Sequence, residues 1–127
     1  MNLQTKRLVE LFLTQLSVQF TSVQERLAFQ HPPLTVWIET SENEVFLTQF
    51  LLSEQLQLLP LLIERASSPR NRMFMMQVGV ANKKLFSRVR LDIRDPVSLW
   101  GKAYCHQRNV LMNVSGIKDE TSNSMAL

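Results

Sequence analysis

Two pairs of alternating segments, each pair joined by a short polar stretch, constrain the fold of this chain more than any other feature. In "LTVWIET" the apolar residues Leu34, Val36 and Ile38 alternate with Thr35, Trp37 and Glu39. The segment "VFLTQFLL" follows after the polar stretch "SENE". In the same way "RMFMMQVGVA" and "LFSRVRLDI" are separated by "NKK". A period of two residues is typical of β-strands, and a polar break between two such strands favours a hairpin. The sequence therefore predicts two β-hairpins.

Helical periodicity predicts helices before and between these hairpins. Apolar residues recur at steps of three or four over residues 8–27, which predicts one long amphipathic helix that the prolines of "HPP" then stop. A second helical pattern covers residues 53–70, where Ser53 is a candidate N-cap. Because Pro60 lies inside this pattern, we expect a kink or two short helices.

A third helix is expected after the second hairpin. Asp95 is a candidate N-cap, Pro96 is the first helical residue in this interpretation, and Gly116 ends the helix. Its residues Trp100, Tyr104 and Leu111 form one stripe, which we interpret as the face that packs on the sheet.

The predicted order of elements is α-β-β-α-β-β-α. An α+β sandwich fits this order, with a mainly antiparallel sheet packed against helices. We place one α+β domain at residues 1–116, and we interpret the short, polar, aperiodic residues 117–127 as a flexible tail.

Composition narrows the class of protein further. The 127 residues are 45% apolar, which suffices for one core, and a single cysteine cannot form an internal disulfide. The apolar runs are far shorter than the roughly 20 residues that span a bilayer. We therefore expect neither a secretory signal nor an integral membrane segment, and we expect a reducing cytoplasm.

The candidate chemistry does not assemble into a catalytic or cofactor site. Cys105 and His106 are neighbours on the predicted third helix, and successive helical residues point about 100° apart, so they cannot form a dyad by themselves. The only other histidine is His31, which leaves too few ligands for zinc. Three separated glycines provide no nucleotide-binding loop. We expect no enzyme, no metal and no cofactor.

A basic surface is the clearest electrostatic feature of the sequence. The net charge is +3, and the cations concentrate in and around the second hairpin. The surface that we predict consists of Arg72, Lys83, Lys84, Arg88 and Arg90. Arg88 and Arg90 alternate on a strand with Phe86, which could follow phosphates and stack a base. A small basic nucleic-acid-binding regulator is therefore one alternative, although an acidic protein would suit the same surface and nucleic acid is not the favoured partner.

Four segments carry a resemblance to a known family. They are "TKRLVELFLTQLSV" in the first helix, "EVFLTQFLLSEQL" from strand to helix, "RMFMMQVGVA" in the third strand and "SLWGKAYCHQRNVLMN" in the last helix. In this order they resemble the small type III secretion chaperone-like proteins of the SepD and SsaM kind, and they cover about half of the chain. The resemblance implies a non-enzymatic bacterial protein that binds a gatekeeper of the SepL, SsaL or YopN type, alone or with a second small chaperone.

Further expectations about function follow from this resemblance. Such a complex controls the switch from translocator to effector export, in the cytoplasm or peripherally at the inner-membrane export apparatus. Chaperones of this fold form homodimers or heterodimers, often through the last helix and the adjacent strands. The resemblance therefore implies that the stripe of Trp100, Tyr104 and Leu111 could serve as a dimer contact as well as a core face. Effector-dedicated chaperones are usually acidic, so the basic charge favours a gatekeeper accessory over the alternative of an effector chaperone. From strand alternation we predict a partner-binding surface made of Trp37, Phe46, Phe50, Met73, Met75 and Phe86.

Overall fold

One antiparallel sheet with helices on one of its faces organises the chain in a computed structural model, which describes residues 2–68 and 74–116. The helices are α1 (Leu3–Gln15), α2 (Leu59–Ala66), preceded by a 3-10 turn (Leu56–Leu58), and α3 (Val97–Ser115). The strands are β1 (Arg26–His31), β2 (Leu34–Ser41), β3 (Glu44–Leu51), β4 (Met76–Ala81) and β5 (Lys84–Leu91). The strand order in the sheet is β1-β2-β3-β5-β4, so β1 and β4 form the two edges. The predicted α+β class is confirmed.

Both predicted hairpins are confirmed. β2 pairs with β3 from Leu34↔Leu51 to Ser41↔Glu44, and β4 pairs with β5 from Met76↔Val89 to Ala81↔Lys84. The second turn holds Asn82 and Lys83 at positive φ angles of 51° and 62°. Two consecutive residues of this conformation are typical of the tight hairpin turns that match the twist of a sheet.

The prediction of one helix over residues 8–27 is wrong in its second half. α1 ends at Gln15, Leu16 is its C-cap, and Ser17 has a left-handed φ of 60°. The chain then enters β1, which adds a fifth strand to the four that were predicted; Leu27 pairs there with Ile38. The β-branched stretch "SVQFTSV" is a weak helix former, and pairing with β2 outweighs the continued helical spacing.

Two cap predictions also need correction. Ser53 does not cap α2, because the N-cap positions are Gln55 for the 3-10 turn and Leu58 for α2. The 3-10 turn and α2 are two short helices, as expected from the presence of Pro60. Pro60 lies in the first turn of α2, where a missing N–H is tolerated. Pro96 is the N-cap of α3 in place of Asp95.

The C-terminus of α3 is confirmed. Gly116 takes the left-handed conformation with φ 74°, and its N–H bonds to the carbonyl of Asn113. This is the usual glycine ending of a helix, since a side chain would make that φ costly. The predicted tail at residues 117–127 lies outside the described residues.

The core lies between the helices and one face of the sheet. We call this the helix face: strand residues such as Val36, Leu47 and Val89 pack there in one cluster with Phe12 of α1 and Trp100 of α3. A second cluster joins α2 and α3 to the same face, with Leu34, Leu51, Leu62, Leu85, Val110, Leu111 and Val114. The alternation read from the sequence thus selects which face of each strand is buried.

The uncovered face of the sheet as a candidate interface

The opposite side of the sheet carries four aromatic residues that belong to neither core cluster. We call this side the open face, because no helix of the described residues packs on it. Trp37, Phe46, Phe50 and Phe86 are each half-buried on the open face, where they alternate with the buried residues of the helix face. Sequence alternation placed these four on one side of the sheet, and the structure brings them together.

Phe50 and Phe86 form the tightest aromatic contact of the open face. They are direct partners across β3 and β5, and their ring centroids lie 5.6 Å apart at an angle of 46°. The Phe86 ring also leans over Gly79 on β4, where an added Cβ would come within 3.0 Å of the ring. Gly79 therefore makes room for the ring, which is a common reason for glycine inside a strand.

Two arginines of the open face lie over aromatic rings. The guanidinium carbon of Arg88 lies 4.2 Å from the centroid of Phe46, and that of Arg26 lies 5.5 Å from the Trp37 ring. Such cation–π contacts are worth about 0.5–1 kcal/mol at exposed sites. They hold cationic groups against an apolar surface, so the open face is both aromatic and basic.

Surface ion pairs accompany these contacts. Arg26 pairs with Glu39 at 3.1 Å, and Arg90 pairs with Glu44 at 3.7 Å. All four side chains are a third or more exposed, so each pair contributes little to stability. A shallow cleft of about 490 Å³ opens beside the Arg26–Glu39 pair, and it is lined by Glu25, Arg26, Glu39, Thr40, Ser41, Phe46 and Arg88.

The remaining predicted interface residues lie elsewhere. Met75 precedes β4 and is 92% exposed, while Met73 and Arg72 lie outside the described residues. Lys83 is exposed in the β4–β5 turn, and Lys84 begins β5 beside it. The basic surface is thus divided between this turn and the open face.

The stripe on α3 belongs to the core of this chain. Trp100, Tyr104 and Leu111 are each 1% exposed or less, and Trp100 donates its indole N–H to the carbonyl of Asp92 over 2.9 Å. The Phe12 ring meets Trp100 edge-on with centroids 5.7 Å apart. These contacts leave the three side chains no surface for a second subunit in the described arrangement.

Cys105 and His106 lie on α3, and His31 is the last residue of β1. Cys105 is half-buried against the core, and the His106 ring lies beside Phe74 with centroids 5.6 Å apart. The Nδ1 atom of His31 forms a hydrogen bond with the Tyr104 hydroxyl. Within residues 2–68 and 74–116, no group of three or more His, Cys, Asp or Glu side chains is placed to hold a metal ion.

Sequence reasoning missed two residues of the open face. Arg26 was missed because the predicted first helix extended to residue 27, and Thr48, which is 5% exposed, lies between the aromatic residues of β3. It also missed Arg108 on α3, away from the open face, which is 2% exposed and donates to the carbonyls of His31 and Pro32 over 2.8 and 2.7 Å. The alternation of "RLAFQH" was the available signal for β1.

Comparison with known families and structures places this fold. The SsaM family matches residues 2–114, and the chain belongs to that family. A comparison with curated proteins found no match. Solved structures with a similar fold include a chain of the ExoT–SpcS complex from Pseudomonas aeruginosa, with a TM-score of 0.57 and 8% sequence identity; the match covers 93% of this chain and 100% of that chain. They also include YbjN from E. coli, with a TM-score of 0.55 and 14% sequence identity; this match covers 90% of this chain and 88% of that chain.

At these low sequence identities the structural likeness establishes only the fold. The class of protein rests on the family match. The chain is a chaperone-like protein of the SsaM type, as its sequence resemblance predicted. Membership of this family supports a role as a type III secretion chaperone with a partner protein. None of the helices in the described parts of the chain is long and apolar enough to cross a membrane.

Proposed function

We propose that this protein is a non-enzymatic type III secretion chaperone that binds a gatekeeper protein and helps to control the order of translocator and effector export. It acts in the bacterial cytoplasm or at the cytoplasmic side of the export apparatus. A second small chaperone joins the complex, or a second copy of this chain takes its place.

The open face is the observation that carries this proposal. Trp37, Phe46, Phe50 and Phe86 lie together on one side of a sheet that the described helices leave uncovered. Clustered, partly exposed aromatic residues on a rigid sheet are typical of protein-binding surfaces, where aromatic residues and arginine provide most of the binding energy. A chaperone needs such a surface to hold a partner without changing it chemically.

The net charge favours a gatekeeper over an effector as the partner. Chaperones dedicated to effectors are usually acidic, whereas this chain carries a net charge of +3. A gatekeeper accessory and an effector chaperone share this fold but bind different partner proteins. They are distinguished by which protein co-purifies in a defined ratio.

The test is co-expression of the tagged chain with the gatekeeper of the same secretion apparatus, followed by size-exclusion chromatography and light scattering. We expect one complex of fixed stoichiometry. A strain that lacks the protein should export effectors early and translocators poorly. A complex with an effector and none with the gatekeeper would support the effector-chaperone alternative, and salt-sensitive retention on a polyanion column without any protein complex would support the nucleic-acid alternative.

A further inference from the structure

The open face carries more positive than negative charge. Alternation along the strands places four cations there, Arg26, Lys84, Arg88 and Arg90, together with two carboxylates, Glu39 and Glu44. The two carboxylates pair with Arg26 and Arg90. Within the described residues, Lys84 and Arg88 have no ion-pair partner, so the open face has an excess of two positive charges.

Arg88 is the central member of this excess. It lies on β5 directly opposite Thr48 of β3, between the aromatic residues. Its Nε atom is buried and has no hydrogen-bond acceptor, and the buried hydroxyl of Thr48 likewise has no partner. A buried polar atom without a partner costs about 1–3 kcal/mol. Because both atoms are buried, a group from outside the chain would reach Arg88 through its terminal nitrogens, which have no carboxylate partner among the described residues.

The chemistry of this position favours a carboxylate. Arginine binds carboxylates through paired N–H donors, and the interaction strengthens where water is excluded. The adjoining cleft of about 490 Å³ gives access to Arg88 beside the Phe46 ring. Phe50 and Phe86 lie on the same face, where they can contact apolar side chains of the same segment.

We propose that the open face binds an acidic segment of the partner protein, in which an Asp or Glu side chain pairs with Arg88 and flanking apolar side chains contact Phe46, Phe50 and Phe86. This inference rests on the proposed function, because it assigns the segment to a protein partner. It adds that the bound segment is acidic and that Arg88 binds its carboxylate.

Two other occupants fit the observations less well. A single-stranded nucleic acid needs free ring faces for its bases, but Arg88 covers Phe46, Arg26 covers Trp37, and Phe50 and Phe86 lie against each other. A second copy of the chain would bring the same positive excess against itself in a symmetric contact. An acidic polypeptide satisfies both the charge and the apolar surface.

The experiment is selection from a random dodecapeptide phage library on the immobilised full-length protein, in parallel with the variants Arg88→Glu and Arg7→Glu. Arg7 is an exposed residue of α1, so the second variant makes the same change of charge away from the open face. We expect the wild-type protein and Arg7→Glu to enrich peptides with Asp or Glu among apolar residues. Synthetic copies of these peptides should bind Arg88→Glu at least about tenfold more weakly.

The results separate this inference from the proposed function. Enriched peptides without acidic residues, or equal binding to Arg88→Glu, would overturn the inference even if the gatekeeper binds. If labelled oligothymidine bound more tightly than the acidic peptides, and this binding required Arg88, the open face would be a nucleic-acid site. If Arg88→Glu changed the oligomeric state, the open face would be a contact with a second copy of the chain. Arg88→Gln, which removes the positive charge and keeps a polar amide, replaces Arg88→Glu if circular dichroism finds that variant unfolded. A gatekeeper that fails to bind would contradict only the proposed function.

Discussion

The side-chain amide of Gln49 on β3 donates a hydrogen bond of 2.9 Å to Oε1 of Gln107 on α3, and both side chains are fully buried. Gln107 in turn donates through Nε2 to the backbone carbonyls of Leu47 and Ser87, each over 3.0 Å. One helical side chain therefore joins two neighbouring strands to α3. This network ties α3 to the helix face of the sheet, opposite the open face.

We expect Gln107→Leu to lower the free energy of unfolding by about 2–3 kcal/mol, because the buried polar groups around it lose their partner. The matched variant is Asn109→Leu, which makes a similar change at an exposed position of the same helix and should stay within about 0.5 kcal/mol of the wild type. Urea denaturation measures both. Equal effects of the two variants would contradict the importance of the network.

Two leucines of α1 allow the same substitution in opposite environments. Leu13 is fully buried in the core, whereas Leu11 is 58% exposed. We expect Leu13→Ala to destabilise the protein by about 2–5 kcal/mol, because it leaves a cavity. Leu11→Ala should change stability by less than about 0.5 kcal/mol. If thermal and urea unfolding found the two variants alike, α1 would not be packed as described.

The loop between β5 and α3 predicts a response to acid. Hydrogen bonds from the side chain and backbone of Arg94 lower the pKa of Asp92 from 3.8 to about 2. A carboxyl whose folded pKa is depressed stabilises the fold above its unfolded pKa, and that contribution disappears as the pH falls towards 2. Both side chains are on the surface, so the effect on total stability is small.

An NMR titration of the Asp92 carboxyl tests this directly, with an expected midpoint near pH 2. The variant Arg94→Gln removes the side-chain partner and should return the midpoint towards 3.8. A midpoint that does not move in this variant would contradict the assigned cause.

Gly79 offers a way to disturb the open face with little effect on the core. An added methyl group would come within 3.0 Å of the half-buried Phe86 ring, so the ring has to shift. We expect Gly79→Ala to displace this ring from Phe50, to leave stability within about 1 kcal/mol, and to weaken gatekeeper binding. Aromatic nuclear Overhauser effects between the two rings measure the displacement. Rings that stay in contact would show that the methyl group is accommodated elsewhere.

The two hairpins and the last helix could be predicted because each is specified by local sequence. Alternation over Leu34, Val36 and Ile38 selects the buried face, and Gly116 marks the end of α3. β1 could not be recognised in the same way, because Leu27 continues the helical spacing of α1 although it pairs with Ile38 in the sheet. Tertiary pairing decided this segment.

The candidate interface was predictable in composition and not in arrangement. Alternation assigns Phe46 and Arg88 to the same side of their strands, but their contact requires β3 and β5 to be neighbours. Those strands are separated in sequence by α2 and β4, so no local pattern gives their register. The opposition of Arg88 to Thr48 is a property of the assembled sheet.

The most direct measurement of the central claim is the affinity of the purified gatekeeper for Phe50→Glu and Leu11→Glu, compared with the wild type by biolayer interferometry. Both variants place a carboxylate on an apolar surface, Phe50 on the open face and Leu11 on the exposed side of α1. Circular dichroism confirms that each is folded. If the open face is the interface, Phe50→Glu binds at least about tenfold more weakly and Leu11→Glu binds like the wild type. Unchanged affinity of folded Phe50→Glu would contradict the account.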